Sequence, residues 1–149
     1  MLKLNLPTFD YKINRTRDGL QIYDRLRRKF VALTPEEWVR QHFVEFIITH
    51  KGFPQSLIAN EIGITLNNTR RRCDTVVYDN TATPLVIIEY KAPSVEITQA
   101  TFDQIVRYNM VLQAKYLIVS NGLNHYCCSI DYTNQTYQFL KEIPSYSEL

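Results

Sequence analysis

The sequence is poor in glycine and has no long apolar run. Only four of its 149 residues are glycine, and none of them lies in the GxxxxGK[ST] pattern that binds nucleotide phosphates. We therefore expect no ATP site in this chain. No stretch reaches the roughly 20 apolar residues of a membrane-spanning helix, and the first residues lack the charged and apolar segments of a signal peptide. These absences predict a soluble, cytoplasmic protein with no membrane partner.

Cysteine is also scarce, with three in the chain. Cys127 and Cys128 are adjacent, so a disulfide between them would be strained. Because the number of cysteines is odd, at least one of them has no partner for a disulfide within the chain. No CxxC pair accompanies a second Cys or His cluster, which argues against a zinc site. The sequence predicts buried free thiols. The formal net charge of +2 is too small to indicate a nucleic-acid partner by itself.

The remaining composition is that of an ordinary globular protein, with 45% hydrophobic and 21% charged residues. The chain has no internal repeat and no Gly/Ser-rich linker, so we predict a single domain over residues 1–149. Residues 1–33 are predicted as an extended or hairpin lead-in with a turn at Asp18 and Gly19, and residues 34–131 as the core. A basic run in the lead-in is interpreted as a solvated flank; it consists of Arg25, Arg27, Arg28 and Lys29.

Helix and strand signals alternate along the core. Thr34 is predicted to cap a first helix, with Pro35 at the first helical position and Glu37 completing a capping box. Gly52 follows the end of this helix. A second helix is predicted at about 98–113, strands are predicted at 70–78, 85–91, 116–120, 125–131 and 136–140, and residues 57–66 fit either a short helix or a strand. This order predicts an α/β fold with a central mixed sheet flanked by helices.

The strand LVIIEYK ends in a way that a core strand does not. Side chains alternate along a strand, so Glu89 and Lys91 share one face. If this strand and the preceding one form an antiparallel hairpin centred on Thr81 and Ala82, Asp74 lies directly opposite Glu89, with Cβ atoms about 4.5–5.5 Å apart. Two carboxylates at that distance repel one another unless a cation lies between them. Lys91 is one candidate, and a divalent metal ion is another.

A metal ion at this position would suit a hydrolytic reaction. Mg²⁺ takes oxygen ligands and often binds proteins through one or two carboxylates. Such an ion polarises a phosphoryl oxygen and lowers the pKa of a bound water, while a nearby ammonium stabilises the charge of the transition state. The alternative is that Asp74, Glu89 and Lys91 are the solvated end of an edge hairpin. The metal hypothesis depends on register, since a shift of one residue moves Asp74 to the other face.

Five segments, taken in order, resemble one nuclease family. Asp74, Glu89-x-Lys91 and Gln104-x-x-x-Tyr108 resemble the PD-(D/E)xK nuclease superfamily, in the branch where a QxxxY motif follows the catalytic strand. More closely, IYDRLRRKFVALTPEEWVRQ, RRRCDTVVYD, VIIEYKAP, FDQIVRYN and YLIVSNG resemble the N-terminal nuclease domain of type I restriction enzyme R subunits, in its short stand-alone form. The resemblance implies a restriction-endonuclease-like core.

The resemblance also implies roles for residues of the two strands. Asp74 and Glu89 would bind Mg²⁺ or Mn²⁺, and the backbone carbonyl of Tyr90 would complete the protein ligands. Lys91 would position or activate the attacking water and stabilise the developing charge. Cys73 stands where the superfamily name has proline, a position that varies among such enzymes.

Further roles are implied for residues of the two helices. Gln104 and Tyr108 lie one helical turn apart and would flank the site. Glu37 would be the acid that the first helix adds to it, although a capping-box role explains Glu37 as well and Glu36 lies nearer the buried stripe of the helix. Gln104 and Tyr108 would also contact the DNA. Independently of the resemblance, Arg70 and Arg72 suit phosphate contacts at the entry to the cleft; the alternative is that they form a solvated flank of the strand.

The activity that the resemblance implies is Mg²⁺-dependent endonucleolytic cleavage of DNA. DNA would be the substrate, and the partners would be a second copy of the chain or separate restriction-system subunits. The main alternative is a nucleic-acid-binding or interaction module that keeps the nuclease fold without turnover. A third possibility is a structural protein whose charged hairpin end forms an oligomer contact.

Overall fold

A computed structural model describes residues 1–149, and the chain forms two β-sheets and two α-helices. The first sheet is antiparallel and consists of β1 (Ile13–Thr16), β2 (Gly19–Asp24) and β3 (Lys29–Ala32). The predicted turn before Gly19 is confirmed, because Thr16 pairs with Gly19. The lead-in is therefore a folded three-stranded sheet.

The first helix, α1 (Pro35–Lys51), begins and ends where the sequence predicts. The Thr34 hydroxyl accepts a hydrogen bond from the Glu37 backbone N–H at 3.1 Å. Gly52 closes the helix in the left-handed conformation, with φ of 69°, which glycine adopts without the steric cost of a Cβ atom. The second helix, α2 (Gln99–Asn109), has Thr98 as its N-cap. Neither helix is long and apolar enough to cross a membrane.

The second sheet has six strands in sequence order: β4 (Ile58–Leu66), β5 (Thr69–Tyr78), β6 (Pro84–Tyr90), β7 (Tyr116–Ser120), β8 (His125–Asp131) and β9 (Thr136–Leu140). Only β6 and β7 are parallel, and α2 supplies the crossover between them. The sheet is therefore mixed, as predicted, and it extends beyond residue 131. The ambiguous segment 57–66 is mostly strand.

The sheet separates two apolar clusters. The side chains of Val39, Phe43 and Ile47 from α1 pack with Val86 and Ile88 on one face. On the other face, the side chains of Phe102, Ile105 and Val106 from α2 pack with Ile87 and Leu117. Ile22 of the first sheet belongs to the α1 cluster. The three-stranded sheet thus packs on the α1 side of an α/β/α arrangement.

The predicted register between β5 and β6 is confirmed. Thr75 pairs with Ile88, Val76 with Ile87 and Val77 with Val86. Continuing this register by one step places Asp74 opposite Glu89, as the hairpin argument required. A register shift between Val77 and Tyr78 is confined to the turn end of the hairpin.

The β4–β5 ribbon changes its orientation at Glu61 and Asp74. Ile58 packs in the α1 cluster but Ile62 packs on the α2 side, although residues four apart on a regular strand share a face. Glu61 has φ of 54°, in the left-handed region that non-glycine residues rarely adopt. The ribbon is therefore twisted at the same level as the candidate site.

Candidate metal centre and its supporting network

Glu89 lies near the end of β6 and Asp74 lies in the middle of β5, at the point where the pairing between the two strands ends. The Tyr90 backbone N–H donates to Asp74 Oδ2 at 2.9 Å. The Lys91 N–H instead donates to the Ser120 carbonyl of β7, also at 2.9 Å. Because successive backbone groups of a strand face opposite neighbours, the Tyr90 carbonyl faces β5, on the side of Asp74. The Tyr90 carbonyl therefore lies on the Asp74 side of β6, and the charge of Asp74 is close enough to Glu89 to raise its pKa.

Burial makes both carboxylates harder to ionise. For Asp74, burial raises the pKa, and this effect exceeds the opposing effects of the Tyr90 N–H and the Arg40 charge. For Glu89, burial raises the pKa most, the charge of Lys91 lowers it, and the charge of Asp74 raises it again. The protein therefore holds two partly buried acids whose negative charges are incompletely compensated.

Lys91 lies beside this pair without neutralising it. Its Nζ is 4.0 Å from Glu89 Oε2, at the limit of an ion pair, and its side chain is 36% exposed. The Glu89 carboxylate accepts no hydrogen bond from the protein. An ammonium at this distance remains able to contact a third group, such as an anionic substrate.

The available donors fit a hard divalent cation. Carboxylate and carbonyl oxygens are the ligands that Mg²⁺ prefers, and Mg²⁺ is often held by one or two carboxylates with several waters retained. Asp74 Oδ1 and both oxygens of Glu89 have no protein donor, so their lone pairs are open to an ion. No group of three or more His, Cys, Asp or Glu side chains is placed to hold a metal ion, so protein side chains would supply at most two ligands here. Binding of Mg²⁺ or Mn²⁺ by Asp74 and Glu89 stays a prediction.

Arg40 of α1 supports this centre from the other side of the sheet. Its guanidinium donates through Nη1 to the Asp74 backbone carbonyl and through Nη2 to Glu61 Oε1. Its Nε lies 3.2 Å from Glu37 Oε2, within ion-pair distance but without a hydrogen bond. The Arg40 side chain is only 6% exposed. The buried Arg40 guanidinium therefore connects α1 to β4 and β5 at the point where the ribbon formed by these two strands twists.

The network continues from Glu37 towards the first sheet. Glu37 accepts from Arg27 at 2.9 Å and from Gln41 at 2.8 Å. Arg27 also donates to Asp24 of β2, and Asp24 accepts from Asn60 of β4 at 3.0 Å. Alternating acids and bases thus run from the three-stranded sheet to the twist of the ribbon.

The last links of the network return to the candidate metal centre. Thr75 donates to Asn60 at 2.7 Å, and the Tyr90 hydroxyl donates to Thr75 at 3.0 Å. Tyr90 therefore has its ring end fixed by this network while its backbone N–H binds Asp74. Buried polar networks with satisfied partners rigidify their surroundings.

The family model of the type I restriction enzyme R protein N terminus (HSDR_N) matches residues 35–144. That range is well over half of the chain and includes every residue of the candidate metal centre. The chain belongs to this family. No curated protein sequence matches the chain.

The structure of this HSDR_N family member resembles a solved fragment described as an HsdR subunit of a type I restriction enzyme from Vibrio vulnificus YJ016. The TM-score is 0.55 and the sequence identity is 20%. The similarity covers 80% of this chain and 25% of that one, so this chain spans a quarter of that structure's length. The likeness confirms the α/β fold with its central mixed sheet. A PD-(D/E)xK core is consistent with both comparisons.

Gln104 and Tyr108 are not joined to the carboxylates. Both side chains are exposed on α2, and no hydrogen bond connects them to Asp74, Glu89 or Lys91. The Arg71 guanidinium lies 4.4 Å from the centroid of the Tyr108 ring and donates to the Tyr108 carbonyl at 3.1 Å. Tyr108 is therefore held by β5 at the rim, and a role for the pair in binding substrate stays a prediction.

The two arginines predicted to contact phosphates differ in their surroundings. Arg72 donates to Glu61 at 3.0 Å, yet its side chain is 66% exposed. Arg70 is also exposed, and its guanidinium lies against the backbone of Gly63. Both project from the β4–β5 ribbon beyond its twist, and their contact with DNA stays a prediction.

The expectation about the first helix was wrong in two respects. Glu36 is exposed and Glu37 is buried, so Glu36 is not the residue nearer the buried stripe. The Glu37 carboxylate also does not complete a capping box, because it binds Arg27 and Gln41 and lies beside Arg40. Ion pairing to these arginines outweighs a bond to the Thr34 N–H, which donates to Ala32 instead. Glu37 reaches the metal centre only through Arg40.

Arg40 and Glu61 are the residues that sequence reasoning missed. Glu61 lies in the segment whose pattern fits either a helix or a strand, and Arg40 belongs to none of the catalytic motifs. One signal was available, because Arg40 lies three residues after Glu37 on the same helix face. Its partners on β4 and β5 are distant in sequence and carry no local signal.

The predicted buried free thiols are confirmed, since Cys73, Cys127 and Cys128 are all free and buried. Burial raises the pKa of Cys73 to about 11 and that of Cys127 and Cys128 to about 12. Thiols that stay protonated are poor nucleophiles. These cysteines therefore act as core residues.

Proposed function

We propose that this protein is a metal-dependent nuclease that hydrolyses DNA phosphodiester bonds, with Asp74, Glu89 and Lys91 as its reactive groups. The family membership supports a relation to restriction enzyme R subunits. The geometry of the two strands supports the hydrolytic chemistry. Other restriction-system subunits, or a second copy of the chain, would be the protein partners.

Each of these groups has a part that its surroundings suit. Asp74 and Glu89 would hold Mg²⁺ or Mn²⁺, together with the Tyr90 carbonyl. When bound, the ion would polarise a phosphoryl oxygen and acidify a water. Lys91 orients the attacking water and stabilises the charge that develops on the phosphoryl oxygens. The water oxygen bonds to phosphorus as the bond from phosphorus to the leaving oxygen breaks. The attacking water gives a proton to solvent, and the leaving oxygen takes a proton from solvent.

The observation that carries this proposal is the pair of opposed, partly buried carboxylates with an ammonium beside them. Burying like charges opposite one another destabilises a fold, and this protein provides no internal cation that fully compensates them. Groups with pKa values perturbed by burial and by specific neighbours cluster at functional sites. A divalent cation and a phosphodiester would use all three side chains at once.

The test is cleavage of supercoiled and linear DNA with Mg²⁺ or Mn²⁺. Lys91→Ala should lower the cleavage rate by about 10²–10³-fold, the range for losing one preorganised group that stabilises transition-state charge. Lys141→Ala, at an exposed lysine after β9, is the matched control and should leave the rate unchanged. EDTA should abolish cleavage.

Two results would contradict the proposal in different ways. Equal cleavage by the native chain and Lys91→Ala would remove Lys91 from the mechanism. No cleavage by either, with DNA binding that does not respond to Mg²⁺, would favour the alternative of a binding module that keeps the nuclease fold.

A further inference from the structure

Positive charge is concentrated in residues 1–33, which include the first sheet and lie outside the residues that match the family model. Residues 1–33 contain eight Lys and Arg against three Asp, whereas the rest of the chain contains nine Lys and Arg against twelve Asp and Glu. The modest net charge of the whole chain therefore conceals a basic segment attached to an acidic one. Such an asymmetry is an electrostatic indication of a polyanionic partner.

Two of the eight cations are used within the protein. Arg25 pairs with Glu45 at 2.7 Å, and Arg27 pairs with Asp24 and Glu37. The other six form no ion pair; they are Lys3, Lys12, Arg15, Arg17, Arg28 and Lys29. Three of these lie at one end of the sheet, because Lys12 precedes β1, Arg28 ends the turn between β2 and β3, and Lys29 begins β3.

The solvent-facing side of the same sheet carries an aromatic row. Tyr23 of β2 pairs with Phe30 of β3, and the Tyr23 N–H donates to the Lys12 carbonyl at 3.0 Å. Lys12 Nζ lies 5.6 Å from the centroid of the Tyr23 ring. The Tyr23 and Phe30 rings are 5.3 Å apart and nearly perpendicular. Lys12, Tyr23 and Phe30 are therefore neighbours across the sheet, so that one cation and two aromatic rings form a continuous row.

This side of the sheet is open to solvent. Ile22, on the opposite side, lies in the α1 cluster, with Ile13 and Val31 packed against it. Phe30 is 39% exposed. No ion pair joins Asp10, the acid nearest in sequence to Lys12, to any cation here. We call the row Lys12, Tyr23 and Phe30, with Arg28 and Lys29 at its end, the basic aromatic face.

We propose that the basic aromatic face binds single-stranded nucleic acid. Cations that follow a phosphate backbone, combined with aromatic rings on which unpaired bases stack, are the usual elements of such surfaces. A base in a duplex cannot stack on Phe30, whereas a phosphate alone would not use the rings. This binding site is separate from the candidate metal centre and does not require that the protein cleave DNA.

The experiment measures binding of fluorescein-labelled oligo(dT) of about 12 nucleotides, within the usual site size of such folds, by fluorescence anisotropy. Binding is measured in EDTA with a Lys91→Ala background, so that cleavage and metal binding play no part. Oligo(rU) and a DNA duplex of the same length are the comparison ligands. Because activity is not read, failure of the proposed nuclease function leaves this result intact.

Three variants separate charge from stacking. Lys12→Gln, Arg28→Asn and Lys29→Gln are combined in the first; asparagine suits Arg28 because its φ is 54°. The second is Phe30→Thr, which keeps strand propensity. The matched control removes equal charge from the rest of the chain through Lys51→Gln, Lys115→Gln and Lys141→Gln. Circular dichroism spectra should be the same for all, since the altered side chains lie at or near the surface.

The first variant should reduce the slope of log K against log salt by about two, because each phosphate contact to a single strand contributes about 0.7. Phe30→Thr should weaken oligo(dT) binding roughly 5- to 150-fold, the range for losing one base stack, and should leave duplex binding unchanged. The control should keep native affinity. Binding of oligo(dT) and oligo(rU) alike would support recognition of either nucleic acid.

The proposal would be overturned if the control weakened binding as much as the first variant, since the effect would then reflect net charge alone. It would also be overturned if Phe30→Thr left oligo(dT) binding unchanged, or if the duplex bound more tightly than the single strand.

Discussion

Arg40 and Arg72 share one carboxylate, Glu61, but in different surroundings. The Arg40 side chain is 6% exposed and the Arg72 side chain is 66% exposed. Burial raises the pKa of Glu61, yet hydrogen bonds and charge from Arg40, and then from Arg72, lower it overall. The ion pair to Arg40 is therefore the one on which the charge of Glu61 mainly depends.

Removing each arginine should have very different effects on stability. Arg40→Met leaves Glu37 and Glu61 without their shared cation and should lower the free energy of unfolding by about 3–5 kcal/mol. Arg72→Met removes an exposed pair and should cost less than about 1 kcal/mol. Urea unfolding followed by circular dichroism measures both. Equal losses would show that the buried network does not bear on stability.

Single residues also show what could be predicted from the sequence. The positions of Asp74 and Glu89 followed from strand alternation and one turn, because both depend on neighbours close in sequence. Glu37 could not be interpreted in this way. Its carboxylate binds Arg27 and not the backbone N–H groups at the helix N-terminus. The first sheet brings Arg27 to this position, and no local sequence pattern reveals how that sheet packs.

At the scale of elements, Asp24 connects β2 to β4 through Asn60, and to α1 through Arg27, which also binds Glu37. Burial would raise the pKa of this carboxyl, but hydrogen bonds from Asn60 and Arg27 outweigh it and the pKa lies below its ordinary value. A folded-state pKa below the unfolded value means that the carboxylate stabilises the fold above about pH 4. This stabilisation is lost as the pH falls from about 4 through the lowered value.

Asp24→Asn should therefore lower the free energy of unfolding by about 1.5–3 kcal/mol at pH 7, as expected for lost hydrogen bonds to a buried charge. The difference from the native chain should shrink below pH 4, where the native carboxyl also becomes protonated. Urea unfolding between pH 2 and pH 7 measures this, in the range set by carboxyl titration. Asp18→Asn, in the exposed turn of the same sheet, should behave as the native chain. A difference that does not change with pH would contradict the assignment.

The element that sequence patterns described least well is the β4–β5 ribbon. Strict alternation places Cys73 and Val76 on opposite faces, yet both pack in the α2 cluster. The twist at Glu61 and Asp74 exchanges the faces, and Arg40 from a distant helix contacts both residues there. A distortion held by tertiary contacts leaves no period in the sequence, whereas β6 and β7, which are regular, were predicted closely.

For the molecule as a whole, the candidate metal centre lowers the free energy of unfolding of the metal-free protein. Asp74 and Glu89 are opposed and partly buried, and burial raises the pKa of each. Charged groups in this condition lower the stability of the metal-free fold at neutral pH. A ligand that binds the folded state alone raises its stability in proportion to the logarithm of ligand concentration. The metal-free and metal-bound proteins should therefore respond oppositely to loss of one acid.

In EDTA at pH 7.5, Glu89→Gln should be more stable than the native chain by roughly 0.2–1 kcal/mol, because it removes one of two like charges on facing strands. Added Mg²⁺ should stabilise the native chain, by about 2.7 kcal/mol at a concentration a hundred times its dissociation constant, and should leave Glu89→Gln unchanged. Glu142→Gln, at an exposed acid after β9, is the control and should follow the native chain in both conditions. Urea unfolding with and without Mg²⁺ measures all three proteins. Two results would contradict this prediction: a Glu89→Gln variant less stable than the native chain in EDTA, or one that gains as much stability from Mg²⁺ as the native chain does. Either result would show that Glu89 has a structural role and does not bind the metal ion.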